Sequence, residues 1–374
     1  MRQDDPKIPN PTGMRASPAR RQSAITTADI ARHVGVSPAT VSHVLNGRAT
    51  ALRIRPETQQ RVLKAVAELG YRPNTSARAI RTGRFETIAL FQSFHNVFLP
   101  PGLIQGVTEV MEASGRHLVM AMLPDEAFND NAYLPKAMRE LLADGLLINA
   151  LVGIPDSFLE AVAAYHVPAI WINVRLAGDC IHPDDLSGGR IATEYLLSLG
   201  HERIAFTIAG HFLPRRPGVH YSIYDRRTGY AQAMQSAGRT PQIWEISGLP
   251  GDIESLRRDT RVAEAVALLQ SPDRPTAIFA YEIETALPLL LAAAEAGLRV
   301  PEDLSLVMCH SYLDNAPGRA ITTVLHDMRI VGGEAVRMLE TKMRNPEEVL
   351  APRPMPVYLV EGATCAPPQR TGMV

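Results

Sequence analysis

A chain of 374 residues, 46% of them hydrophobic, can bury the cores of two or three domains, and its three cysteines, Cys180, Cys309 and Cys365, are too scattered for a metal cluster or a disulfide framework. The net charge of -1 conceals a division: residues 1–14 are neutral, residues 15–84 carry 12 Arg and one Lys against Asp29, Glu57 and Glu68, an excess of +10, and residues 85–374 carry -11. No apolar run reaches a membrane span or a signal segment, and no Walker loop, Gly-x-Ser-x-Gly elbow or His-Glu-x-x-His is present, so a cytoplasmic protein without a catalytic centre, metal or cofactor is expected.

Residues 1–22 contain four prolines and no apolar period and read as a disordered basic arm. The stretch Ile25 to Asn46, ITTADIARHVGVSPATVSHVLN, then encodes two short helices. Thr26 can cap the first, with Asp29 three residues on completing a capping box, and Ile25 and Ile30 flank that cap as a hydrophobic staple. Val36, Ser37, Pro38 and Val41 repeat the device, with proline at the first helical position, where no N–H is missed. Gly35 tolerates the backbone of the tight turn between them, which makes the pair a helix-turn-helix. In the second helix Val41, Val44 and Leu45 share one face, leaving Pro38, Ala39, Ser42, His43 and Asn46 outward. That face is small and polar, fit to approach base edges and phosphates, although a solvated hairpin would share the pattern.

After the loop Gly47 to Arg55, Pro56 opens a third helix with the stripe Val62, Leu63, Val66 and Leu69, stopped by Gly70. The segment YRPNTSARAIRTGR follows, where Asn74 can cap a helix of about two turns and Arg78, Arg81 and Arg84 surround the single large apolar residue Ile80. A helix so short needs a surface to fold against, and DNA suits it: arginines on phosphates and Ile80 as a wedge in the minor groove. A plain linker is the alternative. The domains expected are therefore an arm (1–22), a three-helix head (23–72), a hinge helix and linker (73–84), a body (85–361) and a tail (362–374).

In the body, apolar runs alternate with amphipathic helices. Strands are expected at Thr87–Phe91, His117–Met122, Gly145–Ile148, Ala169–Asn173, Arg203–Ala209, Thr276–Ala280, Leu304–Cys309 and Val357–Val360. Helices are expected at Leu103–Ser114, Gly188–Leu199, Arg227–Ala237, Arg261–Gln270 and Glu284–Gly297. This is an α/β pattern of parallel sheets covered on both faces, long enough for two lobes with a ligand cleft between them.

The phrases TTADIARHVGVSPATVSHVLNG and RPETQQRVLKAVAELGYRPNTSARAIRTGR, followed in order by LLSLGHERIAF, DRRTGYAQAM, AGLRVPEDLSLV and AITTV, resemble the LacI/GalR family of transcriptional regulators over about residues 24–361. The resemblance implies a homodimeric repressor on a palindromic operator of double-stranded DNA, with recognition helices in the major groove and hinge helices in the minor groove. It also implies a periplasmic-binding-protein-like body that holds a small-molecule effector. A solute-binding protein would share that body, but not the basic head. Recognition-helix positions fall on Pro38, Ala39, Thr40, Ser42, His43 and Asn46, and the minor-groove wedge on Ile80. Thr26, Ser37, Asn74 and Arg78 complete the expected DNA-contacting set. The loop Gly47 to Arg55 is about three residues longer than is usual in the family. The tail after Val360 lacks a heptad period, so no coiled-coil tetramer is expected.

The expected effector set is Phe98, Asn173, Tyr224, Arg226, Glu282 and His310. The family's ligand-binding arginine is present as Arg226 before Gly229 and Tyr230, whereas Glu282 and His310 stand where sugar-responsive relatives carry Asn and Asp. Arg226 is then expected to pair with a ligand carboxylate and Glu282 to favour a donor or cation at the other end. Two alternatives stay open. A neutral sugar could bind in another pose, or Glu282 and His310 could pair and leave the contacts to Tyr221–Tyr224 and Phe98.

Overall fold

The computed structural model describes residues 25–71, 84–93, 100–123, 143–150, 154–209, 220–247, 260–312, 318 and 320–369. The chain separates into two compact units, residues 1–81 and 82–374. Three of the expected DNA-contacting positions, Asn74, Arg78 and Ile80, and the expected effector contact Phe98 lie outside the described residues.

The first unit is built from α1 (Thr27–Val34), α2 (Pro38–Leu45) and α3 (Pro56–Glu68). Both predicted caps form: Thr26 and Asp29 make the reciprocal capping box, and the Ser37 hydroxyl accepts from the Thr40 N–H. Gly35 takes φ 75°, the left-handed turn conformation that a side chain would strain. Ile30, Val34, Val41, Val44, Val62 and Ala65 meet in one small core. Ile25, expected to staple the first cap, stays exposed. Leu63 is also exposed, contrary to the stripe expected of α3; Ala65 takes the inward place, because 62, 65, 66 and 69 keep the three-and-four spacing of one helical face and 63 lies about 100° round from 62. The long loop folds into a compact turn on buried Ala49, whose carbonyl accepts from the Ile54 N–H at 2.9 Å.

The second unit contains two six-stranded sheets. The first runs β11 (Arg353–Met355), β5 (Cys180–Pro183), β4 (Ala169–Ile172), β3 (Gly145–Asn149), β1 (Thr87–Ser93) and β2 (His117–Leu123). The second runs β12 (Tyr358–Val360), β10 (Thr322–Leu325), β9 (Ser305–His310), β8 (Ala277–Ala280), β6 (Ile204–Ala209) and β7 (Gln242–Ile246). All neighbours are parallel except β10 and β12. Helices cover both faces, which is why the strands read as unbroken apolar runs. On β1, Ile88 and Leu90 enter one core and Ala89 and Phe91 the other. The chain passes between the sheets after β5, after β10 and between β11 and β12.

Several elements depart from the sequence expectation. Strands β5, β7, β10 and β11 are additional, and Asn173 falls just past β4 with φ 61°. Helices α5 (Asp156–Ala164) and α10 (Met328–Arg344) are also additional, whereas α8 (Arg261–Leu269) forms where a helix is expected. The helix expected from Arg227 begins at Tyr221, so α7 (Tyr221–Ser236) carries Tyr224 and Arg226 within its length rather than on a loop.

Glycines set the closest helix contacts in each half. On α4 (Pro101–Ser114), a Cβ at Gly106 would lie 1.9 Å from the Arg329 carbonyl oxygen, and one at Gly332 of α10 would lie 2.4 Å from that of Leu103. The second half repeats the device between α6 (Asp185–Ser198) and α7: a Cβ at Gly189 would meet the Arg226 carbonyl at 2.1 Å, and one at Gly229 the Leu186 carbonyl at 2.1 Å. These contacts are with backbone, which cannot yield. Gly332→Ala should therefore cost about 3 kcal/mol, the scale of overpacking a rigid contact. Gly333→Ala, where a Cβ would meet nothing nearer than 3.4 Å, should be neutral or stabilising by up to about 1 kcal/mol from helix propensity. Urea unfolding of the two neighbouring variants measures the difference.

Candidate DNA-reading helix and effector cleft

The amino end of α2 is built to lie close to a surface. Pro38 and Ala39 are exposed, Thr40, Ser42 and His43 are half-buried, and Val41 and Val44 face the core. The polar groups are partly ordered by each other: the Ser37 and Thr40 hydroxyls lie 2.9 Å apart, and the Asn46 amide donates to the Ser42 carbonyl at 2.7 Å and to its hydroxyl at 3.2 Å. Thr26 and Ser37 turn their hydroxyls to their own helix ends as caps. Bonds from Thr26 hold the Asp29 carboxyl below its ordinary value. Arg61 of α3 donates to the Val34 carbonyl and ties the third helix to the end of the first.

In the second unit, the groups that matter gather at the carboxyl ends of strands, where the chain passes between sheets, as expected of a ligand crevice in open α/β sheets. Arg226 is buried there with its donors directed at the protein. Its Nε donates to Asp185 Oδ1 at 2.6 Å, its Nη1 to the Tyr281 carbonyl at 2.8 Å, and its Nη2 lies 3.4 Å from His326 Nδ1. The guanidinium also lies over the Tyr281 ring, 4.5 Å from its centre. Since Nδ1 faces a donor, the neutral His326 ring carries its proton on Nε2, 3.5 Å from Asp185 Oδ1. Arg226 is thus not the cation open to a ligand carboxylate that the sequence led one to expect. Asp185, in the first turn of α6, already holds it, because the Gly189 and Gly229 contacts press the two helices together.

Burial favours the uncharged forms throughout this cluster, and only the ion pair resists. Burial works to raise the Asp185 carboxyl, but Arg226 and then His326 outweigh it and hold that carboxyl below its ordinary value. Burial pushes His220 down to about 4 and His326 down to about 3, the latter with help from Arg226. It pushes Glu282 up to about 7, with Glu284 adding to the shift and Arg226 opposing it.

Contacts between the two halves surround the cluster. His220 Nε2 donates to the Asn173 carbonyl at 2.8 Å, and Arg175 grips both oxygens of Asp225 at 2.8 and 2.7 Å. Within the first half alone, Gln92 and Asn149, at the ends of β1 and β3, are joined by a buried bond of 2.7 Å. Tyr224 is exposed on α7, and His310 packs its ring 4.1 Å from that of Tyr312. Of the expected effector set the structure therefore brings together Arg226 and the Tyr281–Glu282 segment, with Asn173 joined through His220. Asp185, His326, Tyr281 and Asn149 were not found by sequence reasoning. Asp185 reads there as ordinary helix-start acid, and nothing local signals its partner 41 residues on. His201, also buried, is structural: its ring reaches Thr276, Ser305 and the Ala366 carbonyl.

Comparison with known proteins follows this division. Residues 26–74 match the model of bacterial regulatory proteins of the lacI family, and residues 193–365 that of a periplasmic binding protein-like domain. The HTH-type transcriptional repressor PurR of Klebsiella pneumoniae (strain 342) is 30% identical over 331 residues, which span 86% of this chain and 92% of the relative. The chain belongs to the lacI family of bacterial regulatory proteins. It is a DNA-binding transcriptional regulator. PurR of Vibrio vulnificus (strain CMCP6) is 28% identical over 86% of this chain and 93% of its own length. Among solved structures, the lac repressor dimer bound to operator and the anti-inducer ONPF shares the fold with a TM-score of 0.76 at 23% identity, covering 92% of this chain and 100% of that one. The complex of the transcriptional regulator CelR with cellobiose has a TM-score of 0.61 at 25% identity, covering 91% and 99%.

The ion pair of this lacI-family regulator divides two classes of substitution. Asp185→Ala would leave a guanidinium buried without its counter-charge and should cost about 3–5 kcal/mol of body stability. Arg175→Ala removes an ion pair whose arginine is 57% exposed and should cost less than about 1 kcal/mol. Denaturant unfolding of the two variants checks this ordering.

Glu282 gives a pH signature. Its folded value of about 7 lies above its unfolded one, so the protonated form stabilises the fold fully below pH 4.5 and that contribution is lost as pH rises through 7. Glu282→Gln should gain on the order of 1–2 kcal/mol over the wild type at pH 8 and almost nothing at pH 5, as read by unfolding at both values.

Proposed function

We propose that the regulator acts as a homodimeric repressor on a palindromic operator, and that a small polar metabolite held between the two halves of the body controls its operator affinity. The observation that carries this reading is the convergence of Arg226, Asp185, His326 and the Tyr281–Glu282 segment at the strand ends beside the inter-sheet passages. Asn173, Tyr224, Arg226, Glu282 and His310, with Phe98, are the proposed effector-side residues. The PurR relatives, named as repressors, support the direction of control.

On the DNA side, Pro38, Ala39, Thr40, Ser42, His43 and Asn46 are proposed to meet the major groove, flanked by Thr26 and Ser37. Asn74, Arg78 and Ile80 of the hinge are proposed to meet the minor groove. Dimerisation has support from two apolar surfaces among the described residues: Val119, Met120 and Met122 are exposed on β2, the edge strand of its sheet, and Leu287 and Leu291 on α9 (Ile283–Glu295). An exposed apolar edge strand invites pairing, and a second copy presents the same surface under two-fold symmetry.

A chain starting at Glu86 should stay folded, as judged by cooperative melting, and lose operator binding in a gel-shift assay. Retention of full affinity would overturn the assignment of the head. Within the head, His43→Ala should change the base preference at one symmetric pair of operator positions in a binding-site selection, by about 1–3 kcal/mol if the imidazole meets a base edge. An unaltered profile would make His43 a solvent-facing residue.

A further inference from the structure

We infer that the effector is a hydrogen-bond donor carrying an amino group rather than a carboxylate, and that Asp185 sets this preference by occupying Arg226. The inference deepens the effector-cleft reading above and rests on it. It starts from which polar groups the fold leaves for a ligand. Arg226, the one buried cation of the cluster, has Nε and Nη1 in short bonds to Asp185 and to the Tyr281 carbonyl, and Nη2 turned to His326. Its charge is balanced by a carboxylate 1% exposed, so a ligand anion would have to displace Asp185 or share its counter-ion.

Among the described residues, the buried side-chain atoms left without a hydrogen-bond partner include two oxygens that only accept, Asp185 Oδ2 and Asn149 Oδ1, beside the Thr207 and Thr285 hydroxyls and His326 Nε2. Asp185 Oδ2 and Asn149 Oδ1 are buried in side chains about 1% exposed, and neither accepts a hydrogen bond of normal geometry from any described residue, although the Tyr221 hydroxyl lies close enough to the Asp185 carboxyl to interact with it. Glu282, half-buried at the cap of α9, adds a carboxyl that forms no ion pair with a described residue. All three sit at or just past the carboxyl ends of strands: Asn149 closes β3, Asp185 follows β5 and Glu282 follows β8. Buried acceptors without donors are costly, and a ligand that brings N–H and O–H groups removes that cost. A carboxylate would add a like charge beside Asp185 and would satisfy neither buried oxygen. His326 and His220, held neutral by burial, supply no compensating positive charge.

The test uses the full chain and two triads that keep a scaffold and exchange only its polar head: glucosamine, glucose and glucuronate, and 1,4-diaminobutane, 1,4-butanediol and succinate. Calorimetric titration and saturable thermal stabilisation rank each triad. The amine should bind at least tenfold more tightly than the carboxylate in at least one triad, with the hydroxyl compound between them. Asp185→Asn, which keeps the side-chain shape and removes the charge on Arg226's partner, should compress or invert that order. Glu282→Gln should weaken the amine about tenfold and leave the hydroxyl compound unchanged, and it decides the matter if the Asp185 variant does not fold. Tightest binding by a carboxylate, no saturable binding by either amine, or an order unchanged in the folded variants overturns the inference. Operator affinity measured with the bound amine separates the two readings: binding with the stated ranking but no change in operator affinity would leave the pocket chemistry standing and remove the regulatory role.

Discussion

The structure of the body depends on the close approach of α6 and α7, which no side chain could survive at Gly189 or Gly229. That approach places Asp185 within 2.6 Å of Arg226, and a buried charge pair tolerates little movement because either partner alone would be left uncompensated. The pair in turn fixes the ends of three elements: the first turn of α6, the start of α7 and the segment after β8 through the Tyr281 carbonyl. His326, one residue before the cap of α10, joins from the passage after β10. A single ionic contact thus sits where two of the three inter-sheet passages meet, and groups from both halves are bonded to it or to its neighbours.

The first half of the body repeats the packing without the charges. There Gly106 and Gly332 bring α4 and α10 into backbone contact, and an exposed ion pair, Arg329 with Glu109, decorates the outside. The difference between the halves is chemical rather than geometric. One glycine contact is surrounded by Leu103, Val107 and Val331 and makes core; the other opens at its end onto a charged crevice and makes a candidate site. Functional polarity here is placed on a packing device that the fold already uses for stability.

The head illustrates the opposite economy, in which local chemistry does nearly everything. Its caps, its turn glycine and its proline are satisfied within a few residues, so the helices are defined before they pack. The small core then needs only short apolar side chains, which leaves the outward face of α2 free to be small and polar.

That contrast decides what could be known from the sequence. Thr26 with Asp29, and Ser37 with Pro38, determine helix starts because a cap acts over three residues, and the split of charge determines which part of the chain meets a polyanion. The alternation of apolar runs and helices likewise determined two parallel sheets, since a strand buried on both faces has little choice of composition. Short strands such as β11 and the antiparallel β12, and the helix α10 with its paired glycines, carry too little period to be read alone; neighbours across the sheet or across a helix contact make them what they are. The partner of Arg226 was decided only by tertiary structure. Arg226 itself stood out in the sequence only through the family resemblance, and as a cation open to a ligand; Asp185 lies 41 residues away on another helix, and the bond between them exists because two glycines let those helices touch. Long-range pairing of charges is a property of the packed chain, and here it gives to Asp185 the guanidinium that the sequence alone offers to a ligand anion.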